Sequence, residues 1–371
     1  MNMQLQIGPC TLHEDSSPVF VGEIGTSHSG DIIKALELID ALKDAGAHAA
    51  KFQYVIADEI IHPNTGIVEL PGGPTPLYDV FKSLERGIDF YAELKEYCEK
   101  IGICFLCTPF GITSARALHS LNIDAYKIAS PELNHVQLLK EIDSYRAPVI
   151  LSTGVSLLAD IEAALGLLSK KPVLLHCVTS YPAPEEEYNL LLIQNLSRIF
   201  GCFSGVSDHS RHPYLIPSLS AVFGAKIIEK HVTLSNDTDG LDDPIALTPR
   251  EFSSMIINTE SYAAGTPEDA IGALKEEFGD DKIDRIIGSG IKALSPSEKD
   301  NYGRTNRSVH ALTDLKKGDL LSEKNAGILR TEKVLSPGMS PFLFEQILGA
   351  AVQRDIPSGE GISVRDLLLR N

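Results

Sequence analysis

Basic residues are scarce in this sequence. Its 371 residues include 33 Lys and Arg but 50 Asp and Glu, so the formal net charge is −17 at pH 7. Nucleic-acid binding depends on Lys and Arg that neutralise phosphates, so this balance argues against a nucleic-acid partner. Any anionic ligand must therefore be held by a few well-placed cations rather than by the overall electric field of the protein.

Long apolar runs, a secretory leader and a disulfide framework are also lacking. No run approaches the roughly 18 apolar residues that a membrane-spanning helix needs, and the N-terminus MNMQLQIGPC has neither the basic start nor the apolar core of a signal peptide. The six Cys have no framework spacing. Cys104 and Cys107 form a C-x-x-C, but they lie in an apolar strand pattern that sends them to opposite faces. We therefore expect a protein of the reducing cytoplasm with no membrane partner.

Strand-like and helix-like segments alternate through residues 1–265, which we take as one domain. Such repeats indicate a parallel sheet with right-handed crossovers, and eight of them predict a closed (β/α)8 TIM barrel of about 250 residues. An open doubly wound sheet is the alternative, but it rarely uses eight units in strict alternation. The strand-like segments are VFVGEIG (19–25), AHAAKFQY (47–54), ICFLCTPF (103–110), AYKIAS (125–130), PVILSTG (148–154), PVLLHCV (172–178), CFSGVSDHS (202–210) and KIIEKHVT (226–233).

The sequence changes character after residue 265. Residues 266–306 are polar and contain Gly and Ser, which predicts a linker with one helix. Residues 307–371 combine short strand-like runs with turn signals such as Lys-Gly-Asp. We interpret them as a β-rich module that is small enough to need the surface of a neighbour for support.

Each predicted barrel strand ends in a polar or ionisable residue. In a TIM barrel these carboxyl ends share one mouth, where active sites lie. A single polar strand end is usually structural or solvated, so the coincidence over eight strands is the informative observation. The residues at or just beyond the ends are Glu23, Lys51, Gln53, Thr108, Lys127, Ser130, Glu132, Ser152, His176, Tyr181, His209 and His231.

His209 and His231 end two adjacent strands, so their rings can converge. Two neutral imidazoles suit a divalent metal and leave coordination positions open for water or substrate. No H-x-H or H-E-x-x-H spacing accompanies them, so the metal prediction rests on their strand positions. Glu23 and Glu132 are candidates for acid–base chemistry or for orienting a hydroxyl group.

Two lysines and three hydroxyls form a second group at the same mouth. Lys51 and Lys127 supply positive charge in an otherwise acidic protein, and Thr108, Ser130 and Ser152 supply hydroxyl donors. These are the groups that a phosphate or carboxylate of a small substrate requires. The sequence therefore predicts an anion site beside the predicted metal site.

Eight short motifs occur in the order and at the spacing of one known family. The sequence resembles the sialic acid synthase family over almost its whole length, including members named for spore-coat polysaccharide synthesis. Residues 307–371 resemble the antifreeze-like, β-clip domain of that family, also called SAF. The motifs are VGEIGTSHSG (21–30), KFQ (51–53), CTPF (107–110), YKIASPE (126–132), LSTG (151–154), LHCVTSYPAP (175–184), GVSDHS (205–210) and EKH (229–231).

The resemblance implies a reaction. Phosphoenolpyruvate would condense with an open-chain N-acylated aminosugar aldehyde, such as N-acetylmannosamine or a relative, to give a nine-carbon 2-keto acid and phosphate. Carbon 3 of phosphoenolpyruvate would attack the aldehyde, water would add at carbon 2, and phosphate would leave by C–O cleavage. A divalent metal, Mn²⁺ or Mg²⁺, held by His209 and His231 would polarise the aldehyde oxygen.

The resemblance also implies roles for individual residues. Glu23 would orient or deprotonate a water at the metal. In this family the SAF domain of one subunit covers the active site of the other, which implies a homodimer with exchanged tails in which Arg330 approaches the N-acyl group of the sugar. Phosphoenolpyruvate would be held by Lys51, Thr108, Lys127, Ser130 and Ser152, and the sugar by Gln53, Glu132, Thr179, Tyr181 and Asp242.

Some positions depart from the family pattern. SHSG (27–30) stands where N-H-N-G is usual, Thr179 replaces an Asn, and PGG (71–73) replaces P-G-N. GLDDP (240–244) replaces G-P-D-H, which keeps Asp242 but gives Asp243 for the His. Because the phosphate and metal groups are retained, these departures bear on which aminosugar is used rather than on the reaction.

Other functions stay open for such a barrel. A Schiff-base aldolase-type lyase would typically place its Lys at the end of strand 6, where this sequence has His176. A metal-dependent amidohydrolase would want two His on strand 1, whereas EIGTSH supplies only His28. An inactive carbohydrate-binding relative is the third alternative, and the retained catalytic-type residues argue against it.

Overall fold

The computed structural model describes residues 3–70, 73–236 and 242–368. Within them, eight parallel strands form a closed barrel in which neighbours follow chain order and the eighth strand pairs with the first. The predicted TIM barrel is confirmed. Barrel strands 1 to 8 are Val19–Gly25, Ala49–Tyr54, Cys104–Pro109, Tyr126–Ile128, Val149–Ser152, Val173–Cys177, Ser204–Asp208 and Ile227–His231.

A helix follows each barrel strand and covers the outside of the barrel. The first shows how the sequence sets its limits: the Asp31 side chain caps it by accepting from the backbone N–H of Ile33, and Leu38 and Leu42 form its buried stripe. The eight crossover helices are Ile32–Asp44, Ile88–Ile101, Ile112–Ser120, Val136–Ser144, Leu158–Leu165, Leu192–Phe200, Leu215–Val222 and Pro249–Ala263.

The connection after strand 2 is longer than the others. It holds a short helix (Ala57–Ile60), a hairpin (Ile67–Leu70 with Gly73–Pro76) and a second helix (Leu77–Leu84). Two residues of the PGG departure lie outside the described ranges, as do the first two of GLDDP.

A hairpin that the sequence analysis did not predict closes the amino end of the barrel. Strands Gln4–Ile7 and Cys10–His13 pair antiparallel, and Ile7 and Leu12 pack against the first residues of barrel strands, such as Val19. Because one end is filled with apolar side chains, the carboxyl end is where polar groups can meet a ligand.

The predicted linker contains two helices rather than one. They span Pro267–Phe278 and Asp280–Ile287, and one face of each packs on the barrel, since Leu274, Ile283 and Ile286 are fully buried in the barrel's main hydrophobic core. This segment therefore extends the outer layer of the barrel. The sequence analysis predicted a linker because most residues of this segment are polar and exposed, and the few buried apolar residues did not stand out.

The tail is a β-rich module, as predicted, and it also has an apolar core of its own. Its strands are Arg307–Ala311 paired with Ala326–Arg330, and Ala351–Val352 paired with Leu367–Leu368, with a short helix at Phe344–Ile347. The core includes Val309, Val352 and Ile362. A β-bridge between Ile61 and Arg330 joins the tail to the barrel mouth. None of the helices in the described ranges is long and apolar enough to cross a membrane.

Candidate active site

A cavity of about 260 Å³ opens at the carboxyl ends of the barrel strands. It brings together residues from all eight strands or the segments directly after them, and the second tail strand adds an arginine. Of the predicted site residues, the cavity wall contains Glu23, Lys51, Gln53, Thr108, Lys127, Ser130, Ser152, Thr179, Tyr181, His209, His231, Asp242 and Arg330.

Two buried lysines lie at the floor of this cavity and share one carboxylate. Glu229 lies 3.4 Å from the ammonium of Lys127 and 3.8 Å from that of Lys51, and Glu23 lies 2.5 Å from Lys51 on its other side. Burial alone would raise the pKa of Glu229, but the two ammonium groups lower it to about 2. Glu229 is therefore ionised and acts as a bridge between the cations.

Hydroxyl groups surround the lysine pair. Lys127 donates to Ser152 Oγ at 2.8 Å, and Lys51 donates to Thr108 Oγ1 at 3.4 Å. Burial lowers the pKa of Lys127, whereas the carboxylates of Glu229 and Glu23 outweigh burial and raise that of Lys51. The floor thus presents donors at several angles to an oxyanion.

The charges that line the cavity balance. Its cations are Lys51, Lys127 and Arg330, and its carboxylates are Glu23, Glu229 and Asp242. A multiply charged anion would therefore enter a cavity without net positive charge. An additional cation would favour that binding.

His209 and His231 face each other across this cavity with ring centroids 5.6 Å apart. His209 Nδ1 lies 3.0 Å from the carbonyl oxygen of Val178. Since a carbonyl can only accept, Nδ1 carries the proton and Nε2 keeps a free lone pair. His231 Nδ1 is buried without a hydrogen-bond partner and lies 3.7 Å from Asp242 Oδ2.

This pair fits a divalent metal with open positions. Burial lowers the pKa of both rings, so both are neutral at pH 7 and can act as ligands. Among the residues that the structure describes, no group of three or more His, Cys, Asp or Glu is arranged to hold a metal. The protein would therefore supply two imidazoles, and water or substrate would fill the remaining positions.

A buried ion pair on the outside of the barrel supports the two histidines. Asp208 precedes His209 and Lys230 precedes His231, and their side chains pair across the two strands with 0% and 1% exposure. The Tyr188 hydroxyl donates to Asp208 at 2.7 Å and accepts from the His209 backbone N–H at 2.7 Å. The sequence analysis did not predict this network, although opposite charges directly before the two histidines, on adjacent strands, could have indicated an ion pair.

Glu132 does not line the cavity, contrary to the expectation that it would contact the sugar. It is fully buried, and its Oε1 accepts from Arg307 and from Arg330, in each case at 2.8 Å from Nη2. The structure places it beside the site as the partner of two tail arginines. Arg307 is itself buried and binds the carbonyl of Phe110 at 2.7 Å, so it fastens the tail to the barrel mouth.

His176 also lies outside the cavity. Residues alternate along strand 6, so Cys177 points into the barrel and His176 points outward, where its Nε2 donates to the Tyr188 carbonyl. Asp243, at the position of the family's His, is buried and accepts from the Ser27 hydroxyl at 2.6 Å. Two departures from the family pattern therefore contact each other.

Arg330 reaches the barrel mouth of its own chain in this structure. Its guanidinium lies 5.4 Å over the ring of Phe110 and forms part of the cavity wall. The sequence analysis expected Arg330 at the barrel mouth of the partner subunit. That Arg330 serves the site of a second subunit stays a prediction.

The fold and the cavity define a TIM-barrel protein with a polar site where the active sites of such barrels lie. The chain belongs to the NeuB family. The profile of that family matches residues 38–268, and the profile of the SAF domain matches residues 306–368. The resemblance read from the eight motifs is confirmed.

Named relatives cover nearly the whole chain. N,N'-diacetyllegionaminic acid synthase of Campylobacter jejuni is 32% identical over 92% of this chain and 98% of its own. The crystal structure of spore coat polysaccharide biosynthesis protein SpsE from Bacillus subtilis is 31% identical, with a TM-score of 0.83 over 100% of both chains. That of N-acetylneuraminic acid (sialic acid) synthetase from Leptospira borgpetersenii is 30% identical, with a TM-score of 0.65 over 81% of this chain and 95% of that one.

Proposed function

We propose that this protein condenses phosphoenolpyruvate with an N-acylated aminosugar aldehyde. The observation that carries the proposal is one cavity that contains both the lysine pair and the imidazole pair. A new C–C bond forms between carbon 3 of phosphoenolpyruvate and the aldehyde carbon. Water adds at carbon 2, the bond from carbon 2 to the phosphate oxygen breaks, and the products are a 2-keto sugar acid and phosphate.

The lysine pair and its hydroxyls hold phosphoenolpyruvate in this proposal. All four groups line the cavity, where Lys51 already contacts the Thr108 hydroxyl and Lys127 already contacts the Ser152 hydroxyl. Glu229 keeps the two ammonium groups from separating when the ligand leaves. The anion is thus met by groups that need little rearrangement, which favours turnover.

His209 and His231 would hold a divalent cation, Mn²⁺ or Mg²⁺, which would polarise the aldehyde oxygen of the sugar. Glu23 would orient a water or take its proton, and this role is supported by the contacts that hold its carboxylate in the cavity wall: Oε1 accepts from Gln53 at 2.7 Å, and Oε2 pairs with Lys51. The neutral balance of charges in the cavity wall supports a bound cation, because phosphoenolpyruvate is an anion.

The sugar would lie between the cavity floor and the tail. Tyr181 is 50% exposed and stacks on His209 at 4.2 Å, and Asp242 and Arg330 stand on the same rim. Glu132 then acts by holding Arg330, whose guanidinium would donate to the N-acyl carbonyl. The names of the relatives favour a sialic acid or a diacetamido acid of the same class as product.

A phosphate-release screen tests the proposal. The protein would be incubated with phosphoenolpyruvate, Mn²⁺ and one of several sugars: N-acetylmannosamine, its 6-phosphate, or a 2,4-diacetamido hexose. Phosphate should appear only when a suitable sugar is present, with an equal amount of 2-keto acid. Release that does not depend on any sugar, or none with the whole panel, would contradict the condensation.

A Schiff-base lyase is the second candidate because burial lowers the pKa of Lys127, which suits a nucleophilic amine. Its ammonium is instead paired with Glu229 at 3.4 Å. Borohydride treatment in the presence of pyruvate separates the two functions. A covalent adduct on Lys127 would favour the lyase, and an unmodified protein that still releases phosphate would favour the synthase.

The assembly and the compartment belong to the same proposal. We expect a homodimer in which each tail completes the site of the other subunit, with the Arg330–Glu132 contact made between chains. All six cysteines are free thiols, which fits a reducing cytoplasm.

A further inference from the structure

One buried carboxylate outside the cavity at the barrel mouth contacts the backbone of two loops that shape this cavity. Glu298 ends a one-turn helix, Pro296–Glu298, in the segment that was predicted to be a linker, and it is 1% exposed. Its Oε1 accepts from the backbone N–H of Val155 at 2.7 Å and from that of Thr179 at 2.8 Å. Val155 follows barrel strand 5, and Thr179 follows barrel strand 6.

The second oxygen of Glu298 binds its own segment. Oε2 accepts from the backbone N–H of Ser295 at 3.2 Å and from the Ser295 hydroxyl at 3.1 Å. Glu298 is the acceptor in all four hydrogen bonds, which matches a carboxylate, a group that only accepts. The contacts to Ser295 would be enough to cap the short helix, so the two contacts to the barrel loops need another explanation.

The peptide group between Val178 and Thr179 links Glu298 to a histidine of the site. Its N–H donates to Glu298, and its carbonyl accepts from His209 Nδ1 at 3.0 Å. The Cys177 thiol lies farther from this nitrogen, at 3.7 Å. This peptide is trans, so its N–H and its carbonyl point in opposite directions. A rotation of the peptide that breaks the contact with Glu298 would therefore also turn the carbonyl away from the imidazole.

We propose that Glu298 is a positioning residue for the metal site, because it fixes the tautomer and the orientation of His209 through this peptide. A histidine whose Nδ1 donates to a carbonyl presents the lone pair of Nε2 to a cation. A carboxylate at the N–H of the same peptide polarises the carbonyl and strengthens its hydrogen bond to the ring. The cation belongs to the proposed function, on which this part of the inference rests, whereas the state of the ring does not depend on a cation.

The other contact of Glu298 holds a loop in an unfavourable conformation. Val155 is fully buried and has a φ of +40°, in the left-handed region, which costs about 1–3 kcal/mol for a residue other than glycine. The preceding residue, Gly154, donates its N–H to Ser130 Oγ at 2.9 Å, and Ser130 lines the cavity. Glu298 therefore also stabilises the turn that orients a hydroxyl of the cavity wall.

Calorimetric titration with Mn²⁺ and nuclear magnetic resonance of the imidazole nitrogens test the proposal on the full chain. Glu298→Ala should lower the Mn²⁺ affinity about tenfold or more, as the loss of a group that orients a metal ligand usually does. Glu298→Gln should lower it by a smaller factor, because a neutral amide oxygen is a weaker acceptor than a carboxylate. Before any Mn²⁺ is added, the nitrogen shifts should show His209 as the Nδ1–H tautomer in the wild type and as a mixture of tautomers in Glu298→Ala.

Glu187→Gln is the matched control. Glu187 Oε2 accepts from the backbone N–H of Ser297 at 3.0 Å and from the Ser297 hydroxyl at 2.6 Å, so it fastens the same segment without contacting the peptide before Thr179. Glu187→Gln should change neither the Mn²⁺ affinity nor the tautomer of His209. An equal fall in affinity in Glu187→Gln and Glu298→Gln would mean that any loosening of this segment acts on the metal site, and it would overturn the proposal.

Two further outcomes decide the inference. Unchanged Mn²⁺ affinity together with an unchanged His209 tautomer in Glu298→Ala would refute the positioning role. If urea unfolding shows that Glu298→Ala is not folded, Glu298→Gln decides, and both of its readouts should change in the same direction. If the wild type binds no Mn²⁺ or releases no phosphate with any sugar, the proposed function fails, and the tautomer of His209 still decides whether Glu298 positions the ring.

Discussion

The buried pair of Asp208 and Lys230 should be among the costliest polar contacts to break. Asp208→Asn removes the carboxylate that pairs with Lys230, whose side chain is 1% exposed. Removing one partner of a buried ion pair costs about 3–5 kcal/mol because the other charge stays buried. Lys230 keeps the carbonyls of Ser210 at 2.8 Å and His212 at 3.1 Å, so we expect a loss near the lower end, about 3 kcal/mol.

Urea unfolding followed by circular dichroism measures this loss. Asp355→Asn is the matched control, because it breaks a pair with Lys316 in which the two side chains are 60% and 73% exposed, and it should cost less than about 1 kcal/mol. The double variant Asp208→Asn/Lys230→Met should lose less than the sum of its parts, since the two residues interact. Mn²⁺ affinity should fall about tenfold in Asp208→Asn, by displacement of the histidines that follow the pair.

Three results would each refute one part of this reasoning. A loss in Asp208→Asn no larger than in Asp355→Asn would mean that Lys230 does not depend on the carboxylate. Additive losses in the double variant would mean that the two side chains do not interact, despite their contact. Unchanged Mn²⁺ affinity in a destabilised variant would mean that the ion pair does not position the two histidines for metal binding.

Three further predictions concern the site. His231→Ala should abolish Mn²⁺ binding, measured by calorimetry, and most phosphate release, and the variant should unfold like the wild type. His119→Ala, at an exposed position, is the control and should change neither binding nor phosphate release. Near-normal turnover of His231→Ala would contradict the metal assignment. Lys127→Ala should raise the KM for phosphoenolpyruvate or lower its kcat/KM about ten- to a hundredfold, because a charge-assisted contact is worth about 1.5–3 kcal/mol. Lys140→Ala, at an exposed position, should change neither constant. A defect confined to the KM for the sugar would argue against a role of Lys127 in binding phosphoenolpyruvate. Mixed dimers that contain one Arg330→Ala chain and one His231→Ala chain can be isolated with two tags. If the tails are exchanged, such dimers should recover up to about half of the wild-type sites, because two-fold symmetry pairs one intact barrel with one intact tail. Mixed dimers as inactive as either parent would show that each tail serves its own barrel.

The barrel and most of its cavity were predictable because they follow from local periodicity. Eight alternations of strand and helix leave few topologies, and the carboxyl ends of parallel strands meet at one mouth. That is why Glu23 on strand 1 and Ser152 on strand 5 could be assigned to one site although 129 positions separate them. No contact between them had to be known.

Contacts between distant segments were not predictable in this way. Arg307 and Glu132 are 175 residues apart and meet only because the tail folds over the mouth. Nothing in the local sequence around Glu132 distinguishes a ligand-binding carboxylate from one that binds tail arginines. The amino-terminal hairpin was missed for a similar reason, since strands of four residues carry a weak periodic signal.

Period-two alternation accounts for the parts of the site that strand-end reasoning missed. Strand 8 ends in Glu229, Lys230 and His231, and the first and third of these point into the barrel while the second points out. Glu229 was therefore available from the sequence as soon as His231 was assigned to the mouth. Two residues that share one face, Lys51 and Gln53, were taken from strand 2, whereas only His231 was taken from strand 8.

Strands 7 and 8 both end in a charged residue followed by a histidine, and the pairing of the two strands explains this shared ending. Their register places Ser207 opposite Glu229 and Asp208 opposite Lys230. The first of these pairs forms a hydrogen bond of 2.9 Å inside the barrel, and the second forms the buried ion pair outside it. The two histidines come next, with rings 5.6 Å apart. A slip of one residue would turn every side chain of one strand to the other face and break all three pairs at once. The inner and outer pairs thus fix the register on which the convergence of the imidazoles depends, and a substitution at either pair should affect the metal site without touching a ligand.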